Sequence, residues 1–204
     1  MTFLTPQRTW IMTPGRLCWL PPQIQHGFVS QTSVSGVSLK VSGQECHGLP
    51  DHPKILHPDP FFELALGRLV ERPHDFSGLW QVLSQAIIEA PPDRLVLPAP
   101  FSPRLVRLAQ ALMLDPADPR NLPEWAKEVG LSPRTLVRRL KAETGLSFAV
   151  WRQRLRLMHA TAAMQSGGSA TNAALDSGFG TASAFSAAFR KHMGMAPTVY
   201  LRAK

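Results

Sequence analysis

Residues 121–202 carry one pattern twice. The first copy reads NLPEWAKEVGLSPRTLVRRLKAETGLS and the second SATNAALDSGFGTASAFSAAFRKHMGMAP. Gly130 and Gly178 hold the same place, 48 residues apart. One extra residue then enters and the offset becomes 49, so that Ser132 matches Thr181, Leu136 matches Phe185, Leu140 matches Phe189, Lys141 matches Arg190 and Gly145 matches Gly194. Ser or Thr before a helical apolar pair is an N-cap signal, and Gly after it is a C-cap signal. Each copy therefore predicts a short helix, a Gly turn, a capped second helix and a closing Gly. That layout places a helix in the major groove of duplex DNA. Two copies on one chain imply a monomer reading two groove segments.

Charge follows the repeat. Residues 1–115 carry nine Lys and Arg against nine Asp and Glu, whereas residues 116–204 carry thirteen against five, which is the whole net charge of +8. A neutral half joined to a basic half points to a polyanion as partner of the second half. The plain alternative is a basic surface with no partner. No run of about 18 apolar residues occurs, so no membrane span is expected. The N-terminus MTFLTPQRTWIMTPG lacks the layout of a secretory signal. Cys18 and Cys46 make no disulfide framework, and the reading is a cytoplasmic chain with free thiols.

The rest of the chain divides in two. The first sixty residues are rich in Pro, Gly, Ser and His. Alternation of Val37, Leu39 and Val41 with Ser38, Lys40 and Ser42 predicts a half-buried strand. Residues 16–20 form a second candidate strand, and residues 44–60, with four prolines, read as loop. Phe61, Phe62, Leu64, Ala65, Leu66, Leu69 and Val70 predict a buried helix that ends before Pro73. Ser77 is the expected cap of a second helix with Leu79, Trp80, Leu83, Ile87 and Ile88 inside. Residues 98–103 read as a stiff connector. Ser102 and Pro103 then open a third helix that buries Leu105, Leu108, Ala109 and Leu112.

Within the repeat, Leu122, Trp125, Ala126 and Val129 mark one helix face. A long helix from Ser147 to about Gly167 links the copies, with Phe148, Trp151, Leu155 and Leu157 partly buried. Ala173, Ala174 and Leu175 build the next helix. The expected fold is mainly α: a partial β segment over 1–58, a helical connector over 59–114, and over 115–204 two helix-turn-helix motifs joined by a long helix.

The stretch SGFGTASAFSAAFRKHMGMAPTVYLR is the most specific motif. Its Gly178, Phe179, Phe185, Phe189, Arg190, Gly194, Pro197, Tyr200 and Arg202 resemble the signature of the AraC/XylS family of transcription regulators. The resemblance covers about residues 115–202. It implies a sequence-specific DNA-binding regulator, not an enzyme, that reads adjacent major-groove segments and sits beside RNA polymerase as an activator. Most signature residues are structural: the three phenylalanines read as core and the two glycines as turn or cap.

Functional residues belong on the opposite faces. With Leu136 and Leu140 inward, Arg134, Val137 and Arg138 point outward, and the family's base-contacting positions fall on these three. Arg is suited to bidentate bonds with guanine O6 and N7; the alternative is phosphate or solvent contact. Arg139 and Lys141 read as phosphate contacts. On the second recognition helix the matching residues are Ser183, Ser186 and Ala187, which offer a hydroxyl, a thymine-methyl contact or close fit, but no long donor. Arg190 and Lys191 there read as phosphate contacts.

Residues 15–30, GRLCWLPPQIQHGFVS, are similar to the second motif of the cupin barrel, with Gly15, Pro21, His26 and Ser30 at its spacing. The motif that supplies a His-x-His pair should precede Gly15 and is absent. The expectation is a truncated or degraded sensor, with a small-molecule effector only if the barrel is complete. His26 with His47, His52, His57 or Cys46 is a conceivable metal set by residue type; the reading here is loop and strand histidines with no metal, no cofactor and no catalytic residue. Two other readings stay open at this point. One is a helix-turn-helix remnant that serves protein contact and binds DNA weakly. The other is a cupin enzyme fused to a helical domain, against which the missing His-x-His argues.

Overall fold

The structure is a computed structural model that describes residues 1–5, 9–12, 15–30, 33–56, 58–72, 76–90, 96–165 and 167–202. Along the chain run β1 (Thr2–Leu4), β2 (Thr9–Ile11), β3 (Leu17–Trp19), β4 (Gly27–Val29), a 3-10 turn (Gly43–Cys46), β5 (Lys54–Leu56), α1 (Pro60–Glu71), α2 (Phe76–Glu89), β6 (Leu97–Pro98) and α3 (Pro103–Leu114). Then follow α4 (Leu122–Glu128), α5 (Pro133–Thr144), α6 (Phe148–Gln165), α7 (Ala170–Asp176), α8 (Ala182–Met193) and α9 (Pro197–Arg202). The fold is mainly helical. It forms two compact units: Met1–Thr13 with Gly27–Val29 and Arg94–Ala203, and Pro14–His26 with Ser30–Asp93.

The smaller unit pairs β3 antiparallel with β5, Cys18 opposite Ile55, beside α1 and α2. The strand over 16–20 is as expected, but its partner lies in a stretch read as loop. Pro53 and Pro58 bracket only four residues, and the strand takes three of them, too short a run for an alternation pattern to register. Conversely, residues 37–42 form no strand. Leu39 and Val41 do pack onto the core, yet no strand pairs with this stretch among the described residues. Alternation reports which side chains face inward, not whether a ladder forms.

Asp59 caps α1 by accepting from the Phe62 N–H at 2.7 Å. Phe62, Ala65 and Leu69 are buried, whereas Phe61, Leu64 and Val70 are exposed. The helix is amphipathic rather than buried all round. α2 starts at Phe76, so Ser77 lies inside the helix and is not its cap. Trp80, Leu83 and Ile87 are buried and Ile88 is exposed. Lys54 Nζ donates to the Ile87 and Ile88 carbonyls at 2.8 and 3.1 Å, satisfying two acceptors at the C-terminal end of α2. Burial pushes the Cys18 thiol up to about 12, so it behaves as a small apolar side chain.

In the larger unit an antiparallel sheet runs β4-β1-β2-β6. β6 ends on the first residue of the stretch read as a connector: Leu97 pairs with Ile11 and Pro98 with Trp10. Pro98 also accepts from Trp151 Nε1 at 2.8 Å. Ser102 stands at the N-cap position of α3 without a side-chain cap bond. Glu143 instead holds the entry to the helix, accepting from the Phe101 and Ser102 N–H groups at 2.9 and 3.0 Å.

The core holds Leu105, Leu108, Ala109 and Leu112 of α3 together with Trp125, Leu136, Leu140, Trp151, Leu155, Leu157, Phe185 and Phe189. Trp151, Leu155 and Leu157 are fully rather than partly buried, because α6 is packed by helices of both copies. Leu175 is the exception in α7, exposed while Ala173 and Ala174 are buried.

The repeat is longer than its sequence pattern. Beyond the Gly caps, Trp151 matches Tyr200, whose N–H groups donate to Ser147 O at 2.8 Å and Ala196 O at 3.0 Å. Before the motifs, α3 and α6 match at an offset of 52 residues, reflecting a shorter connection in the second copy. Leu105, Leu108, Ala109 and Leu112 fall on Leu157, Ala160, Thr161 and Met164, and all eight are buried. Each copy is thus a three-helix unit: α3, α4 and α5, then α6, α7 and α8.

Candidate nucleic-acid interface

Both recognition helices are built by the same devices. Ser132 Oγ accepts from the Thr135 N–H at 3.2 Å and Thr181 Oγ1 from the Ala184 N–H at 3.0 Å. Caps of this kind each contribute about 1 kcal/mol. Both helices run twelve residues, α5 to Gly145 and α8 to Gly194, each cap left-handed at φ 74° and 80°. Their N–H groups donate back to Lys141 O and Arg190 O, both at 2.8 Å. The helices before them also match. Asn121 and Glu124 form a reciprocal capping box on α4, and Ser169 accepts from the Asn172 N–H on α7. The tight turns match bond for bond: the Leu131 N–H reaches Ala126 O at 2.8 Å and the Phe179 N–H reaches Ala174 O at 2.9 Å. The residue added in the second turn is Gly180.

The cores differ in chemistry but not in place. Leu136 and Leu140 are fully buried, as are Phe185 and Phe189. Phe189 meets Phe185 and Tyr200 with ring centroids at 5.7 and 5.4 Å, and Phe185 meets Phe179 at 5.4 Å. Phe185 and Phe189 are core, as expected, and the half-buried Phe179 and Tyr200 pack against it.

On the outward face of α5, Arg134, Arg138, Arg139 and Lys141 are exposed and Val137 is half-buried. Among the described residues, none of those four cations makes a hydrogen bond or ion pair. On α8, Ser183, Ala187, Arg190 and Lys191 are exposed and Ser186 is half-buried. The structure therefore groups all ten candidate residues on the two recognition helices, away from the buried pairs. The first helix offers cations from its first turn onward; the second offers them only in its last turn.

Other cations of the basic half are committed inside the protein. Asp118 is buried and accepts from Arg120 through its N–H at 2.8 Å, Nε at 3.0 Å and Nη2 at 2.7 Å. Those hydrogen bonds from Arg120 hold the Asp118 carboxyl below the usual carboxylate range. The Arg120 guanidinium also lies 3.8 Å over the Trp125 ring. Arg152 donates to Arg120 O at 2.6 Å and to Asp118 O. Arg156 donates to Pro116 O at 2.9 Å and to Asp118 O at 3.4 Å. Burial lowers both guanidinium pKa values from their ordinary level, and for Arg152 the neighbouring Arg156 adds to it. A charge count treats all thirteen cations alike. Contacts 32–40 residues apart in sequence separate those that face solvent from those that bind carbonyls, and no local signal marks them.

Among the described residues the N-terminal histidines form no metal-binding group. His26 Nδ1 lies 2.9 Å from Ile24 O, His52 pairs with Asp51 at 2.9 Å, and His57 lies outside the described residues. Cys46 Sγ donates to Ser42 O at 3.2 Å. Among the described residues no group of three or more His, Cys, Asp or Glu side chains is placed to hold a metal ion.

A family model described as a helix-turn-helix domain matches residues 125–203. The chain is 32% identical over 199 residues to the HTH-type transcriptional regulator NimR of Escherichia coli K12, covering 94% of this chain and 72% of that protein. The chain belongs to the AraC-type family of transcriptional regulators. It is, by that membership, a DNA-binding transcriptional regulator. It is also 36% identical over 121 residues to the HTH-type transcriptional regulator RipA of Corynebacterium glutamicum, covering 59% of this chain and 37% of that one. Among solved structures, an AraC-type regulator from Chromobacterium violaceum is 27% identical with a TM-score of 0.46, covering 50% of this chain and 90% of that one. The C-terminal domain of AraT, a response regulator from Geobacillus stearothermophilus, is 30% identical with a TM-score of 0.47, covering 50% and 87%. Among the described residues no helix of this AraC-type chain is long and apolar enough to cross a membrane.

Proposed function

We propose that this regulator reads two adjacent major-groove segments of one DNA duplex, with α5 supplying most of the base readout and α8 mostly anchoring. Arg134 and Arg138 donate to guanine edges and Val137 packs against a base. Ser183, Ser186 and Ala187 dock α8 by close fit and a single hydroxyl bond. Arg139, Lys141, Arg190 and Lys191 hold phosphates. The observation that carries this reading is the exposed Arg134 and Arg138, unpartnered among the described residues, on a doubly capped helix, set against short side chains at the matching places of α8. A guanidinium without an internal partner and on a fixed backbone loses little freedom on pairing with guanine.

Residues 115–204 carry the DNA contacts, 59–114 act as connector and 1–58 are a sensor-like segment of cupin type. RNA polymerase is the protein partner, the role is activation and the site of action is the cytoplasm. A small-molecule effector acts only through a complete sensor.

Selection of preferred sites from random duplexes tests the assignment. The expected product is two half-sites about one helical turn apart, one well defined and one diffuse. Arg190→Ala should weaken binding to all sequences by a similar factor and reduce the slope of log affinity against log salt by about one unit. If the better-defined half-site survives Arg134→Ala and Arg138→Ala but is lost on changing Ser183 or Ser186, the assignment of the two helices is wrong.

A further inference from the structure

Two recognition helices joined by one helix need something to fix their mutual roll, because α6 by itself is a single rod between two caps. The turn glycines show where that constraint sits. Gly130 and Gly178 are both left-handed, at φ 66° and 82°, a conformation that suits Gly at either place. Their surroundings differ. A Cβ on Gly130 would meet only Arg104 Nη1, at 3.8 Å. A Cβ on Gly178 would lie 2.8 Å from the Ala117 Cα and 2.9 Å from the Arg156 Cζ and Nε. The α3–α4 loop of the first unit, a side chain of the linking helix and the turn of the second unit therefore meet at one point, which has room for no side chain.

Arg104 and Arg156 stand at equivalent places, 52 residues apart. Arg104, on α3, donates to Gly130 O at 2.5 Å and so braces the turn of its own unit. Arg156, on α6, lies on the turn of its own unit but donates to Pro116 O and Asp118 O, in the loop ahead of α4. Arg152, one turn earlier, adds bonds to the Arg120 and Asp118 carbonyls of the same loop. The Asp118–Arg120 pair in turn stiffens that loop against Trp125. A planar guanidinium can lie flat on a peptide while donating in its own plane, which an ammonium cannot do.

We infer that Arg156 is a positioning residue that sets the orientation of α8 relative to α5, and with it the half-site spacing the regulator prefers. Its counterpart Arg104 stabilises one unit only. The inference rests on the two-segment reading proposed above. Binding of the second half-site is intramolecular once the first is held, so spacing selectivity depends on how narrowly the two helices are oriented.

The test uses the full chain and duplexes that carry the selected half-sites at a series of spacings, with thermal melting as the check of folding. The wild-type chain should favour one spacing over its neighbours by about 10²-fold. Arg156→Met should remove at least about tenfold of that preference. Its affinity for a duplex with only the better-defined half-site should stay within about twofold of wild type, as for independent sites. Arg104→Met should leave the spacing profile unchanged. A folded Arg156→Met that keeps the wild-type profile overturns the inference, and so does Arg104→Met flattening the profile equally. If Arg156→Met does not fold, Arg156→Lys, which retains charge and helix propensity, carries the same readout with the same expected flattening. A wild-type chain indifferent to spacing overturns the two-segment reading, and this inference with it.

Discussion

The two helix-turn-helix units share length, caps, turn bonds and buried positions, yet they face outward with different chemistry. α5 carries Arg134, Arg138, Arg139 and Lys141; the same stretch of α8 carries Ser183, Ser186 and Ala187, with Arg190 and Lys191 only near its end. The inner faces differ in the opposite sense, Leu136 and Leu140 against the larger Phe185 and Phe189. A duplicated fold constrains the buried and capping positions, because those decide whether the helix exists. It leaves the exposed face free, because exposed substitutions there change stability little. Recognition can therefore diverge between copies while architecture does not.

The largest expected effect would test whether the two cores are equivalent. Phe185→Ala should cost about 3–5 kcal/mol and Leu136→Ala about 2–5 kcal/mol of unfolding free energy, by lost burial and the cavity left behind. Urea unfolding measures both, and a difference far outside those ranges would show that one unit is loosely packed. Next in size, Arg138→Ala should cost about 1–3 kcal/mol on the preferred site and relax preference at one base pair. Competition binding with single-base variants of the site reads this directly. Uniform weakening with unchanged preference would move Arg138 to the phosphate contacts and erase the contrast with α8.

The caps sharpen the other side of the comparison. Ser132→Ala and Thr181→Ala should each lower stability by about 1 kcal/mol, since each removes one N-cap acceptor. Unequal losses would mean that the matched geometry hides different local stabilities. The smallest effect is Ser186→Ala, which removes at most one neutral hydroxyl bond worth about 0.5–1.5 kcal/mol. Titration of the preferred site should detect little change, and a loss of specificity at one position would reverse the roles assigned to the two helices.

Legibility was uneven for physical reasons. In the repeat, capping residues, left-handed glycines and apolar pairs four residues apart are local signals, and each element they mark is present. In residues 33–60 the signals misled. Leu39 and Val41 face a core without joining a ladder, and Lys54–Leu56 is a strand three residues long between prolines. Phe61, Leu64 and Val70 extended an apolar pattern around α1, although they are exposed while Phe62, Ala65, Leu66 and Leu69 meet a core. Of the candidate interface, the outward placement of every named residue follows from helical spacing alone.

What the sequence by itself determined is the helix-turn-helix pair, its caps, its inward residues and the family. All of these are set by contacts within a few residues along the chain. Tertiary structure alone decided which cations are free. Arg104, Arg120, Arg152 and Arg156 look like Arg134 and Arg138 in a composition, but they bind carbonyls or a buried carboxylate. It also decided that Glu143 holds the N–H groups of Phe101 and Ser102 where Ser102 makes no cap bond, and that Gly178 leaves room for Arg156 and Ala117. Apart from Asp118 and Arg120, which stand two residues apart, those partners lie far apart in sequence, and only a folded chain brings a donor within reach of a distant acceptor.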